Sequence, residues 1–121
     1  HDGSELTADN VVRSVERALH PTTPSPWSSF YEAIDGFADY TEKGAAHLRG
    51  VVAEGTYIVA FKLAKLDATF LRVLALQALR PVCKSAGTRY VDTFQPCGAG
   101  PFRLREGGWE RGIRLTLSQF P

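Results

Sequence analysis

Apolar residues recur at helical spacing soon after the chain begins. Val11, Val12, Val15, Ala18 and Leu19 fall on one face, leaving Arg13, Glu16 and Arg17 largely to solvent. Thr7 suits the N-cap of this helix, Asp9 complements its positive end, and Asp2-Gly3 supplies a turn before it. HPTTPSP, residues 20–26, ends it with three prolines. Phe30, Tyr31, Ile34, Phe37 and Ala38 then make a second helical stripe, which predicts a helix from near Trp27 despite Gly36 inside it.

The period changes at residues 48–63, LRGVVAEGTYIVAFKL, which reads as two strands joined at Glu54-Gly55. In the second strand Tyr57, Val59, Phe61 and Leu63 share a face, opposite Thr56, Ile58, Ala60 and Lys62. A third helix is predicted from an Asp67 cap to the stop at Pro81. Because it is apolar around most of its circumference, it should be the most buried of the three. Residues 82–96 carry weak periodicity and predict an irregular connection. Strict alternation returns in PFRLRE and GIRLTLS, with Gly107-Gly108 as the hairpin signal between them. The order helix, helix, hairpin, helix, hairpin is an α+β chain in which helices pack on antiparallel hairpins.

Composition changes this picture little. At 121 residues, 44% apolar and 22% charged, the chain has the size and balance of one folded domain. Its formal charge of +1, from 14 Lys+Arg against 13 Asp+Glu, provides no global field for nucleic acid or an anionic membrane. The opening HDGSELTADN carries no Met and no apolar leader, and reads as the start of an internal piece of a longer polypeptide. Cys83 and Cys97, 14 positions apart, leave two readings open. They close a loop worth roughly 3 kcal/mol in an oxidising compartment, or stay separate buried thiols in a reducing one.

The residues with chemical potential form no recognisable catalytic pattern. QPCGAGPFRL, residues 95–104, resembles a phosphate loop only superficially. Arg103 stands where a dinucleotide fingerprint needs its third glycine, a strand follows instead of a helix, and no Gly-Lys-Ser/Thr is present. Gly98 and Gly100 are read instead as permitting positive φ at a corner, with Pro101 fixing the exit and Phe102 dropping into the core. No nucleophile elbow accompanies His1, His20 and His47, and no HExxH or CxxC suggests a metal. The acidic pairs Asp35/Asp39 and Asp39/Glu42 are ordinary helix-surface spacings. Arg103, Arg105, Arg111 and Arg114 near Trp109 could suggest a nucleic-acid platform, but Glu106 and Glu110 interleave. A solvated or interdomain sheet face fits them better. The expectation is no enzyme, no cofactor, no metal and no nucleic-acid partner.

Four stretches, taken together and in order, resemble the extracellular solute-binding proteins of the oligopeptide/dipeptide ABC-importer family, family 5. HDGSELTADNVVRSVERAL is similar to the family's HDG-x-x-(F/L)TADDVV turn and helix, with Asn10 for the usual second Asp. HPTTPSPWSSFYEAIDG resembles the loop and helix that follow it. AEGTYIVAFKLAKLDATFLRVLAL resembles the next strand and helix, with Gly55 for a usual Asp and Asp67 where Pro is common. PCGAGPFRLREGGWERGIRLTL resembles the family's GTGPF strand, with Ala99 for Thr.

The resemblance implies part of a periplasmic-binding-protein-like II fold. Residues 1–97 would form most of the small extra lobe, and residues 98–121 a hairpin re-entering the first large lobe. It implies capture of a peptide or other small-molecule solute for delivery to an ABC permease through the full-length protein. The compartment would be periplasmic or extracellular, with membrane association through the transporter or a lipid anchor. A solute-sensing regulatory domain fused to a signalling or DNA-binding partner is the alternative. Trp27 matches an aromatic that lines the ligand cleft in peptide-binding members, and its other reading is a core or interlobe tryptophan. Ser25, Ser28 and Tyr31 are weaker candidates by proximity. An edge left by the strand that normally precedes HDG would invite homodimerisation.

Overall fold

In the computed structural model, which describes residues 1–91 and 95–121, the first helix, α1, spans Ala8–Leu19. Its capping position is Thr7, whose N–H and hydroxyl both donate to the Asn10 side-chain oxygen, at 3.3 and 2.6 Å. Asn10 thereby performs the acceptor role of a capping box. Val15 and Leu19 lie in the main core with Tyr31, Ile34, Tyr40, Leu48, Val51, Phe70 and Leu79. Val11, Val12 and Ala18 pack against its edge.

The outer face of α1 is less solvated than its charges suggest. Arg17 is buried, and its Nε donates to Ala86 O at 3.3 Å while its guanidinium lies over the Tyr90 ring. Arg13 donates to Val82 O at 2.5 Å and Gly87 O at 2.8 Å. Glu16 accepts from Leu48 N–H at 3.0 Å. The helix therefore binds the chain on both sides. Residues 82–87 need donors for carbonyls that no ladder satisfies, and the two arginines supply them.

The second predicted helix does not form as one element. A 3₁₀ turn, Ser28–Tyr31, is followed by a short helix α2, Phe37–Thr41. Between them Ile34 pairs with Leu63 in an antiparallel bridge, and Gly36 takes φ 79°. A glycine in the left-handed region breaks helical continuity. The bridge also draws Ile34 to the sheet, where it is buried.

Strands β1, Val51–Ala53, and β2, Val59–Phe61, form the predicted antiparallel hairpin, with Val52 opposite Ala60. Val59, Phe61 and Leu63 pack on the core as the alternation requires, whereas Tyr57 lies exposed and donates to Glu5. Ala8 N–H donates to Thr56 O at 2.8 Å, which ties the start of α1 to this hairpin.

The third helix is a correction. Asp67 accepts from Thr69 N–H at 2.8 Å in the turn before the helix, but the N-cap is Thr69, without a side-chain cap bond, and α3 covers only Phe70–Leu74. Leu76 is extended at φ −65°, ψ 153°, and a 3₁₀ turn follows at Gln77–Leu79. Phe70 and Leu79 reach the core, while Leu66 and Leu71 are 100% and 81% exposed. A segment apolar all round finds cover on one side only, so α1 is the buried helix.

The last hairpin joins β3, Phe102–Glu110, to β4, Arg114–Gln119. Gly107-Gly108 is not its turn. Leu104 faces Leu117 and Trp109 faces Leu115, so the extra residues between Leu104 and Trp109 form a bulge. Gly107 takes φ 64° there, and a Cβ on Gly108 would lie 2.7 Å from Arg105 O. The reversal comes after Glu110, with Gly112 at φ 77°. The two hairpins belong to separate two-stranded sheets. Among the described residues no helix is long and apolar enough to cross a membrane.

Candidate functional site

Two surfaces concentrate the residues that the sequence singles out. The first follows α1, where the proline-rich loop delivers Trp27 to the surface. Ser25 Oγ accepts from Trp27 N–H at 3.4 Å, in the manner of a hydroxyl turn that sets the tryptophan's backbone. Trp27 is 36% exposed, and its ring lies 5.9 Å from that of Phe30, which is half exposed, at an interplanar angle of 32°. The pair presents a continuous apolar wall with one indole N–H. Phe30 has no place among the expected contacts. Its spacing of three from Trp27 across a helical turn was the available signal.

The neighbouring candidates divide. Ser28 is half-buried beside His20, Pro21 and Thr23 in a shallow polar depression. Tyr31 is a correction: at 0% exposure it is a core residue, and its hydroxyl donates to Val73 O at 3.3 Å. Burial pushes that phenol above its ordinary value. A fully enclosed ring offers no face to a solute.

The second surface is the corner at residues 95–104. Cys83 and Cys97 are joined as a disulfide with Cα atoms 5.4 Å apart, and Cys83 N–H donates to Cys97 O at 3.0 Å. Gly98 pairs with Val82 in an antiparallel bridge. Neither Gly98 nor Gly100 takes positive φ, so the corner does not turn through left-handed backbone. It is pinned from outside. The His1 backbone nitrogen donates to Gly98 O at 2.8 Å, Gly98 N–H donates to Nδ1 at 3.2 Å, and Nε2 lies 2.8 Å from Gly100 O. Gly100 N lies 3.2 Å from the same Nε2, so both ring nitrogens face backbone groups of the corner. Nothing local in the sequence marks His1 for this role.

Beyond Pro101 the chain enters β3, and Phe102 is exposed, not buried in the core. Phe102, Leu104, Leu115 and Leu117 line an open apolar groove of about 540 Å³ against Pro81 and Val82. The polar face carries the arginines: Arg111 lies over the Trp109 ring at 4.9 Å and Arg103 over Phe120 at 5.6 Å. Asp35 and Arg49 form a separate exposed ion pair at 2.7 Å, which holds the Asp35 carboxyl below the usual range. Asp39 joins it at 3.5 Å from Arg49. These carboxylates are engaged with cations, an arrangement of surface pairing and not of acid–base chemistry.

The comparisons agree with one another. The family model described as bacterial extracellular solute-binding proteins, family 5 Middle, matches residues 1–121. Among curated proteins the chain is similar to the oligopeptide-binding protein AppA of Bacillus subtilis (strain 168). Identity is 30% over 125 residues, covering 97% of this chain and 20% of AppA. Among solved structures it is similar to the MppA periplasmic murein tripeptide binding protein in its unliganded open form. That match has 26% identity and a TM-score of 0.76, covering 98% of this chain and 24% of the other. The chain thus spans about a fifth of the one relative and a quarter of the other. Both relatives are named as binding proteins.

Proposed function

The chain belongs to the bacterial extracellular solute-binding proteins of family 5, and from that premise we propose that it serves the capture of a peptide or similar small solute. In this reading the captured solute passes to an ABC permease, and the protein works in the periplasm or outside the cell, held near the membrane by the transporter or a lipid anchor. The observation that carries the reading is the family match over all 121 residues. The names of AppA and MppA, oligopeptide-binding and murein tripeptide binding, favour a peptide over other solutes.

Within that function Trp27 is the ligand wall, with Phe30 extending it and Ser25 setting the backbone beneath. An exposed aromatic pair flanked by prolines loses little conformational freedom when a ligand covers it. Residues 1–97 form the small-lobe segment and residues 98–121 the hairpin that enters a larger lobe. The separate sheets and the open apolar face of β3–β4 support that division, since such a face gains most when further polypeptide covers it.

A chimera tests the proposal: this chain replaces the matching segment of AppA, and oligopeptide binding is measured by calorimetry. The chimera is expected to bind, and Trp27→Ala to weaken it about tenfold, the equivalent of about 1.4 kcal/mol. A folded chimera whose affinity for oligopeptides is unchanged by Trp27→Ala would remove Trp27 from the site.

A further inference from the structure

The disulfide corner also brings together a set of metal-ligating atoms. Cys83 Sγ, Cys97 Sγ and an Asp2 carboxylate oxygen all lie within 4.8 Å of one another. A small cavity of about 30 Å³ opens beside them, lined in part by His1, Asp2, Val82, Cys83 and Gly98. That is room for roughly one water-sized occupant. Cys83 is buried, Cys97 half-buried and Asp2 exposed. Two hydrogen bonds donated by Ser4, from its N–H at 3.0 Å and its Oγ at 2.6 Å, orient the Asp2 carboxylate.

While the sulfurs are bonded to each other they offer no thiolate. We propose that reduction of this disulfide creates a site for a thiophilic divalent cation of the Zn²⁺ type, ligated by Cys83, Cys97 and Asp2. The step balances with a dithiol as reductant. Two electrons from the dithiol break the S–S bond, two S–H groups form, and the dithiol closes to its own cyclic disulfide. The cation then replaces the two thiol protons, which leave to solvent.

The geometry suits the ion. A Cα separation of 5.4 Å lets two cysteine sulfurs spread about one centre. Zinc takes sulfur at about 2.3 Å and carboxylate oxygen at about 2.0–2.2 Å. Two thiolates select a soft or borderline cation over Mg²⁺ or Ca²⁺. Three protein ligands leave the fourth position to water or a solute group in the cavity. Oxidation and metal loading are mutually exclusive states of the same pair of sulfurs.

The test compares the oxidised chain with chain reduced by dithiothreitol and desalted without oxygen. Each is titrated with ZnCl₂ against a chromophoric chelator, and the reduced form also with CoCl₂. The expected result is one Zn²⁺ per reduced chain, none for the oxidised chain at the same concentration, and a Co²⁺–thiolate charge-transfer band. Asp2→Asn, which keeps an acceptor for Ser4, is expected to weaken Zn²⁺ at least tenfold. No uptake by the reduced chain would overturn the proposal, as would equal uptake by the oxidised chain. Unchanged affinity in Asp2→Asn would also overturn it, because thiols of an unfolded reduced chain would bind without regard to residue 2.

Discussion

His1 and Gly98 hold each other twice: the His1 backbone nitrogen donates to Gly98 O at 2.8 Å, and Gly98 N–H donates to the imidazole at 3.2 Å. With Nε2 on Gly100 O, one side chain bridges a corner 97 positions away along the chain. Removing the ring leaves partly buried backbone groups without their partner, at a cost of about 1–3 kcal/mol. His1→Ala is therefore expected to lower stability by that amount and to speed amide exchange at Gly98. Unchanged exchange at Gly98 would show that the imidazole does not secure the corner.

The disulfide closes the same corner from the other side. Cys83 and Cys97 are expected to appear bonded by non-reducing mass spectrometry of the purified chain, with a mass two hydrogens below that of the reduced form. Closing a loop of this length contributes about 3 kcal/mol in the chain-entropy model. Cys83→Ser with Cys97→Ser should then lower the urea midpoint accordingly. Recovery of two alkylatable thiols from unreduced, folded protein would contradict the bonded pair.

What the sequence made legible follows from where each determinant lies. Helix α1 depends on its own cap and stripe, both local, and it forms where the pattern places it. The β1–β2 hairpin likewise follows from alternation around Gly55. The second helix was not legible, because a distant partner, Leu63, draws Ile34 into a bridge. Gly107-Gly108 carries a genuine irregularity signal, but the pair serves a bulge, and only the register of β4 distinguishes bulge from turn. The charges on α1 misled for a related reason: Arg13 and Arg17 cap carbonyls near residues 82–87, which no spacing on the helix reveals. At the candidate site, Trp27 came from a motif, while the corner clasp joins His1 to Gly98 and Gly100, 97 and 99 positions away. The expectation of an irregular connection over residues 82–96 falls in part on residues 92–94, outside the described residues.

Two glycines separate close approach from backbone freedom. A Cβ on Gly50 would lie 2.6 Å from Asp35 O and 2.7 Å from Asp35 N, both backbone atoms that cannot yield cheaply. Gly50 also donates to Asp35 O and accepts from Lys62, each at 2.8 Å. Gly55 has φ 85° and nothing within 4 Å. Gly55→Ala is expected to cost about 1 kcal/mol, the penalty of left-handed backbone alone. Gly50→Ala should cost at least about 3 kcal/mol, in the range of severe overpacking. Equal denaturation midpoints for the two variants would mean that the strands separate to accommodate the methyl group.

The open face of β3–β4 leads to an expectation about the chain in isolation. Phe102, Leu115 and Leu117 are each more than half exposed, along one face beside a groove of about 540 Å³. Strand edges in a two-stranded sheet add unpaired backbone groups to that apolar surface. The chain on its own should self-associate, with a weight-average mass rising with concentration in analytical ultracentrifugation. Leu115→Lys is expected to reduce that association and leave the fold intact by circular dichroism. A wild-type chain that stays monomeric across the concentration range would show that neither the edge nor the face recruits a copy.

Tyr40 gives the core a dependence on alkaline pH. Its hydroxyl donates to Glu16 O at 2.9 Å, and burial pushes the phenol up to about 12. The Glu16 charge adds to the rise, and Arg89 opposes it. An unfolded tyrosine ionises near pH ~10, so between these values the unfolded chain releases a proton that the folded chain retains. The contribution of Tyr40 is whole below pH ~10 and is lost as pH climbs toward about 12. Urea unfolding at intervals from pH 8 to pH 11.5 should show stability falling through that window. Tyr40→Phe is expected to be about 1 kcal/mol less stable at neutral pH, through the lost hydrogen bond, yet to fall less steeply above pH ~10. Tyr31, also raised by burial, accounts for part of the remaining slope. Parallel curves for wild type and Tyr40→Phe would show that Tyr40 ionises as readily folded as unfolded, and that its burial imposes no penalty on the phenolate.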